Sequence, residues 1–417
     1  MNLSFLFNVL LNWISGLPNR CSSLLSSHAI TYEKKQLKEK PLLCRRPDAW
    51  QQRQLHSWAM SLDAVTVPRR HSMSTPVDLY NLDRTVIVNE IGFKVDSSVT
   101  CYGCCKLYRT CHPVYIFSCQ KCGDLFQKMR TLSRDLTGKV CVVIGARTKL
   151  GHQIVVKLLD AGATVIGTSR YPEKALQLFE QYPRWEEWKT RLVFYPKSFD
   201  LDTFDLSAAL SRLKEFILHH SDHIDILINS AAQTIRSREK TVKEPLNETN
   251  RYGNDKFVPD DASNSWNHKL ADIRQYEMEE VYRVNAIAPA LMIQILLPLL
   301  KACTTNPYVI NVHAREGLFG VQKDDRHVHT NMAKAALSML TRCLAGCNYS
   351  TTSGHKIWFH GIDPGWISYD EYCRSSLPII VPPLDEVDGA ARILYPVMAH
   401  LQGSFKCTRR HFLHFKL

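Results

Sequence analysis

Val140-Cys141-Val142-Val143-Ile144-Gly145-Ala146-Arg147-Thr148-Lys149-Leu150-Gly151 is the stretch that decides the fold. It opens with five apolar residues, four of them β-branched, which suits a short buried strand. The run stops at Gly145, and a helical pattern follows over Gly151–Leu159. A strand that enters a helix through a tight glycine turn aims the helix's free N–H groups at an anion, and a pyrophosphate fits there. Gly145 permits the turn and Gly151 permits close helix–strand packing, while Lys149 stands where a third glycine is usual.

Outward from this stretch, apolar runs alternate with helix-length segments. Strands are predicted at Val140–Ile144, Thr164–Thr168, Leu192–Tyr195, Ile224–Ile228, Tyr308–Val312 and Ile357–Ile362, and helical segments at Ala208–Leu218, Met278–Leu300 and Asn331–Leu344. That alternation predicts an α/β fold: a Rossmann-type, doubly wound parallel sheet with helices on both faces. It spans 136–417, with an insertion at about 234–270 whose Ser237–Asn267 stretch is polar and carries Asn247, Asn250, Asn254 and Asn264. Before it come a flexible N-terminal region, 1–80, and a Cys-rich segment with a linker, 81–135. Thr85–Ile91 reads as one strand, and Gln127–Asp135 as a linker or short helix.

The second strand ends Gly167-Thr168-Ser169-Arg170. An NAD site asks for an acidic residue here to bind the ribose hydroxyls. Arg170 takes that place and Arg147 lies in the phosphate loop, and two guanidinium groups favour a 2′-phosphate, hence NADP(H) over NAD(H).

The chain has 417 residues, enough for two domains or one large domain with an appendage. At 45% hydrophobic residues it can bury a core, while 18 Gly and 19 Pro are too few for a collagen-like or low-complexity chain. No uninterrupted apolar run approaches the roughly 20 residues that span a bilayer, so no membrane span is expected. The net charge is +12, and up to Asp135 there are 18 Lys+Arg against 10 Asp+Glu. This basic excess reads as a solvated arm, with contact to nucleic acid or an anionic surface as the alternative. The first 32 residues hold no acidic residue, and no positive charge precedes the apolar stretch Leu3–Ile14 as a secretory signal would require. Arg20 is the one Arg there, where a mitochondrial presequence wants several. The cytoplasm is the default compartment and the mitochondrion the alternative.

Six of the 14 cysteines fall between Cys101 and Cys122. That clustering suits a reduced chain with one local metal site better than a secreted disulfide framework. Cys101-Tyr102-Gly103-Cys104 and Cys119-Gln120-Lys121-Cys122 are two C-x2-C knuckles, 14 residues apart. Two such knuckles complete a tetrahedron, so Cys101, Cys104, Cys119 and Cys122 are expected to hold a structural Zn²⁺, with Cys105, Cys111 or His112 as possible substitutes for one ligand. Four thiolates leave no open position for catalysis. Lys106, Arg109, Lys121, Lys128, Arg130 and Arg134 flank the knuckles beside Tyr102, Tyr108 and Tyr115, a weak nucleic-acid signal. The expected partner is a small molecule.

Further motifs fall in order: Asp200-Leu201, Asn229-Ser230-Ala231-Ala232, Val284-Asn285-Ala286, Asn311-Val312, Met332-Ala333-Lys334-Ala335-Ala336-Leu337 and Asp363-Pro364-Gly365-Trp366. Taken together, the series resembles the short-chain dehydrogenase/reductase family, from about Leu136 to the C-terminus. The resemblance implies that Gly145, Arg147 and Gly151 line the pyrophosphate, and that Asp200 and Leu201 flank adenine. It implies that Asn229 and Ala231 lie along the cofactor, that Asn285 holds a water in a proton relay, and that Lys334 binds the nicotinamide ribose. Pro364 and Gly365 would pass beside the nicotinamide. Relatives also assemble as dimers or tetramers through helices flanking the sheet, so a homo-oligomer is compatible with the family.

Two positions depart from that pattern. Thr330 stands where the family has its acidic Tyr, four residues before the Lys, and Ala314 aligns with the carbonyl-polarising Ser. Ketone reduction needs hydride at carbon and a proton at oxygen, and an alkanol ionises far too weakly to replace a phenol whose reference pKa is about 10. His329 titrates near neutrality and can serve; His313 and His327 are also near in sequence. Asp325-Arg326-His327-Val328-His329-Thr330-Asn331-Met332-Ala333-Lys334 is similar to an atypical branch that carries His-Thr-Asn-Met-Ala-Lys in place of the Tyr motif. Pro382-Pro383-Leu384-Asp385 and Asp388-Gly389-Ala390-Ala391-Arg392 fit the same branch. The expectation is an NADP(H)-dependent oxidoreductase acting on a carbonyl or alcohol, in which His329 or Thr330 meets the substrate oxygen. The alternative is a dinucleotide-binding sensor or scaffold without turnover.

Overall fold

The computed structural model describes residues 94–233, 268–321, 323–367, 383–403 and 412–413. The N-terminal region 1–80, the expected strand Thr85–Ile91 and the polar stretch Ser237–Asn267 lie outside the described residues.

The described chain opens with an antiparallel hairpin, β1 (Lys94–Thr100) and β2 (Leu107–Thr110), and helix α1 (Gln120–Thr131). The stretch Gln127–Asp135, expected as a linker or short helix, is helical up to Thr131 and follows the earlier turns of α1. The α/β alternation follows: β3 (Val140–Ile144), α2 (Lys149–Asp160), β4 (Thr164–Thr168), α3 (Pro172–Glu180), α4 (Trp185–Trp188), β5 (Leu192–Phe194), α5 (Leu206–Leu218) and β6 (Ile226–Asn229). Next come α6 (Gln275–Tyr282), a π-helical segment (Arg283–Ile287), α7 (Ala288–Ala302), β7 (Tyr308–Val312), α8 (Val328–Gly346), β8 (Trp358–Ile362), α9 (Glu386–Leu401) and β9 (Phe412–Leu413).

The sheet order is β5-β4-β3-β6-β7-β8-β9, with every pairing parallel. From β3 the chain winds outward to β5, then returns to place β6 on the other side of β3. The crevice at that reversal, beyond the carboxyl ends of β3 and β6, is where open α/β sheets bind ligands. All six expected strands are present. β6 starts later than expected because the N–H of Ile224 bonds the Leu299 carbonyl outside the ladder. The seventh strand, β9, and helices α3 and α9 were not anticipated.

Alternation along the strands sends side chains to two cores. Cys141, Val143, Val165, Ile228 and Ile310 face α2 and α9, meeting Ile154, Leu158, Ile393 and Val397. Val142, Ile144, Ile166, Leu227 and Val309 face α5 and α7, meeting Leu210, Leu213, Met292 and Leu296. One helix bears on the expectation about membrane spans. The continuous helical stretch Gln275–Ala302 is long and apolar enough, by length and composition, to cross a membrane. Its Met292, Ile293, Leu296, Leu299 and Leu300 pack on the sheet, so the apolarity is that of a core helix.

Candidate functional site

The crevice is built by backbone proximity. Gly145 adopts φ 84°, and a Cβ on it would lie 2.8 Å from Ala231 Cα. A Cβ on Gly151 would lie 1.9 Å from the Gly145 carbonyl oxygen. Both positions therefore require glycine. Lys149 holds φ 49°, a conformation that suits glycine better, and so presents its cation at the N-terminal turn of α2. The groove is lined by Gly145, Arg147, Lys149, Gly151, Thr168, Ser169, Arg170, Tyr171, Asp200, Leu201, Ala231 and Glu280. Arg147 lies 5.2 Å over the Tyr171 ring and the Lys174 ammonium lies 5.3 Å from it. Tyr171 and Lys174 were missed in the sequence, although their positions just beyond Arg170 were a readable signal. The close backbone approach, the helix N-terminus and the basic rim fit a dinucleotide.

Asn229 is tied into the sheet floor. Its Nδ2 donates to Asn311 Oδ1 at 2.8 Å, and Asn311 Nδ2 donates to Thr341 Oγ1 at 2.9 Å, which ties β6 and β7 to α8.

A second group gathers where α8 packs on the π-helical segment. Lys334 is buried and its Nζ donates to the Val312 carbonyl at 3.1 Å. Burial pulls its pKa down to about 8, against the opposing pull of Glu316 and Asp363. Asn285 sits within the π-helical segment and donates through Nδ2 to the carbonyls of Gln233 (2.5 Å) and Val281 (2.9 Å). Its Oδ1 and the Thr330 hydroxyl are buried without a hydrogen-bond partner, as are both ring nitrogens of His329. Buried polar atoms of this kind mark places where a ligand or water completes the hydrogen bonding.

Thr330 shares a helix face with Lys334, one turn earlier. His329 points elsewhere, toward a neighbourhood of Glu277, His327 and His268. Its expected titration near neutrality is corrected here: burial pulls its pKa to about 4, so the ring is neutral at pH 7. His313 is committed to the core, bonding Ser338 Oγ at 2.9 Å and Thr341 Oγ1 at 3.2 Å. His327 precedes α8 with φ 40°. Ala314 offers only a methyl. Pro364 and Gly365 follow β8. Gly365 holds φ 85° and its N–H donates to Asp363 Oδ1 at 2.9 Å.

The sulfurs of Cys101, Cys104, Cys119 and Cys122 all lie within 4.8 Å of one another, with Cys104 and Cys119 3.9 Å apart. Tetrahedral zinc with Zn–S near 2.3 Å needs sulfurs about 3.8 Å apart. The Cys119 N–H points at Cys101 Sγ, 3.3 Å away, as thiolates of a metal knuckle require. A Cβ on Gly103 would strike Cys122 at 2.9 Å, so the knuckle needs its glycine. Neither Cys105, Cys111 nor His112 belongs to this quartet. His112 is occupied instead: its Nδ1 accepts the N–H groups of Val114 and Tyr115 at 3.1 and 3.0 Å, and its Nε2 faces Asp124 at 3.4 Å.

Comparison with known proteins identifies the family. A family model described as short chain dehydrogenase matches residues 139–371. An uncharacterized protein of Acanthamoeba polyphaga mimivirus is 36% identical over 336 residues, 71% of each chain. A fatty acyl-CoA reductase of Acinetobacter baylyi is 24% identical over 274 residues, 65% of this chain and 77% of the relative. Among solved structures, the carbonyl reductase Sniffer of D. melanogaster is 19% identical, covering 67% of this chain and 97% of its own, with a TM-score of 0.46. With more than half of its residues matched by the family model, the chain belongs to the short-chain dehydrogenase family of NAD(P)-dependent oxidoreductases.

Proposed function

We propose that the protein is an NADP(H)-preferring oxidoreductase of an atypical branch, acting on a carbonyl or alcohol with a proton donor other than tyrosine. The observation that carries this reading is the buried Lys334, with Asn285 Oδ1 and Thr330 Oγ1 left without partners. Gly145 and Gly151 would admit the pyrophosphate, Asp200 and Leu201 would flank adenine, and Arg147 with Arg170 would hold the 2′-phosphate. Lys334 would hold the nicotinamide ribose, and Pro364 and Gly365 would pass beside the ring. When bound, the cofactor supplies or accepts the hydride.

The protein's own work is at the oxygen. Thr330 Oγ1 hydrogen-bonds the substrate oxygen, and the Lys334 ammonium is the group that supplies the proton, since an alkanol ionises too weakly to do so. With a pKa near 8 the Lys334 ammonium is a better proton source than an ordinary lysine. Asn285 Oδ1 holds the water that reprotonates Lys334. His329, neutral at pH 7, is the alternative group at the substrate oxygen, as a hydrogen-bond donor. Cys101, Cys104, Cys119 and Cys122 hold a structural zinc that lets a small segment fold.

The test is titration of the protein with NADPH and NADH, followed by NADPH oxidation against a panel of carbonyl compounds, with Thr330→Val and His329→Ala beside wild type. Loss of turnover in Thr330→Val with NADPH affinity kept supports the relay; the same loss in His329→Ala alone transfers the role to His329. A second reading rests on Ala314 and Thr330, which lack the chemistry of Ser and Tyr: a dinucleotide-binding sensor or scaffold. Tight NADPH binding without turnover on any carbonyl favours it.

A further inference from the structure

The Cys-rich segment is joined to the dinucleotide domain at the loop that leaves β8. Tyr102, between the first two cysteines of the quartet, accepts the Trp366 N–H on its hydroxyl at 2.7 Å. A Cβ on Gly365 would lie 2.7 Å from the same oxygen, so loop and tyrosine are in contact with no room to spare. The Tyr102 N–H is itself held by the Phe117 carbonyl at 2.8 Å. Three further bonds fix the segment at the start of α9: Tyr115 donates to Asp388 Oδ1 at 2.8 Å, and Arg130 reaches Asp385 and Asp388 at 2.7 Å each. The loop lies beyond the carboxyl end of β8, on the ligand-binding edge of the sheet, and its Asp363 acts electrostatically on Lys334.

We infer that Tyr102 is a positioning residue through which the metal-loaded knuckle sets the Asp363–Trp366 loop, and with it the nicotinamide end of the cofactor site. This rests on the zinc and cofactor readings above. The reason is geometric: Tyr102 is flanked by Cys101 and Cys104, so a quartet held by metal fixes its backbone, and its hydroxyl transmits that position to the loop. A metal-free knuckle frees Tyr102 to move, and the loop loses its stop.

The experiment uses the full chain, with zinc content, NADPH binding by nicotinamide fluorescence, and binding of 2′,5′-ADP as a probe of the adenine end alone. Tyr102→Phe should keep one zinc per chain and 2′,5′-ADP affinity within twofold of wild type. It should weaken NADPH binding about tenfold, as loss of one partly buried hydrogen bond does, and lower the fluorescence gain on binding. Chelating the zinc from wild type should reproduce that profile and add little to Tyr102→Phe. Gly365→Ala, which presses on the tyrosine from the loop side, should act in the same direction. Equal loss of NADPH and 2′,5′-ADP binding would mean a general folding defect and overturns the inference. If wild type holds zinc and binds NADPH while Tyr102→Phe binds it equally well, the coupling falls and both earlier readings stand. A wild type without zinc removes the metal reading and this inference with it, whatever NADPH does; a wild type with zinc that binds no NADPH removes the cofactor reading and this inference.

Discussion

The sheet and the Cys-rich segment bury apolar surface on very different scales. Strands β3, β4, β6 and β7 feed two broad cores, one under α2 and α9 and the other under α5 and α7. The buried cluster of the Cys-rich segment is Cys101, Tyr115, Cys122, Phe126 and Leu384. Two of these five are cysteines of the quartet, and Leu384 is supplied by the chain just before α9. A segment with so little apolar surface of its own needs a staple, whereas the sheet has area enough to tolerate the loss of any one side chain. The segment is further joined to the start of α9 by a partly buried Arg130–Asp385–Asp388 cluster, so its docking depends on charge where the sheet depends on area.

That contrast is open to attack at several points. The largest effect is expected for Cys101→Ser, because structural zinc contributes on the order of 10 kcal/mol. Zinc should fall well below one per chain, and limited proteolysis should cut within 94–131 while the circular dichroism of the sheet domain persists. Full zinc occupancy would move the ligand set elsewhere.

Arg130→Ala comes next. It leaves two buried carboxylates without their cation, a change that costs about 3–5 kcal/mol. Chemical denaturation should show that loss. Adding Asp388→Asn should recover part of it, because it also removes one of the unpaired charges.

His152 probes the sheet side. It stacks on Phe179 at 4.2 Å, bonds Tyr182 at 2.8 Å, and burial pulls its pKa to about 4. The unfolded chain, titrating near 6.5, binds more protons between pH 6.5 and 4, so stability is full above that window and is lost as pH falls through it. The slope should approach about 1.4 kcal/mol per pH unit for this one group. His152→Gln should flatten the fall measured by denaturation from pH 7 to 5.

The smallest effect is expected from Arg170→Ala. Loss of a charge-assisted contact to a 2′-phosphate should narrow the NADPH-over-NADH preference about tenfold without changing stability. An unchanged preference would shift the selectivity to Arg147 and Lys174.

Much of the dinucleotide end was legible in the sequence. Gly145 and Gly151 announce their roles by spacing alone, because only glycine fits a turn of φ 84° and a 1.9 Å approach. The gathering of Cys101, Cys104, Cys119 and Cys122 was legible for a similar reason: C-x2-C geometry is local. His112 could not be resolved that way. Its Nδ1 is taken by two backbone N–H groups two and three residues on, which spacing does not reveal. His329 misled because titration near neutrality holds for an exposed ring, and burial against α6 was invisible in one dimension. Tyr171 was passed over because aromatic stacking with Arg147 joins two loops 24 residues apart.

The sequence by itself determined the period of the elements, the glycine turn and the cysteine spacing, since each depends on neighbours within a few residues. The tertiary structure alone decided which side chains lose water and which far segments meet. It brought Tyr102 to Trp366 and Arg130 to Asp385 and Asp388, contacts more than 250 residues apart in the chain. It buried Lys334 and His329, shifting both toward their neutral forms. Desolvation depends on everything packed around a group, so no local reading of residues can supply it.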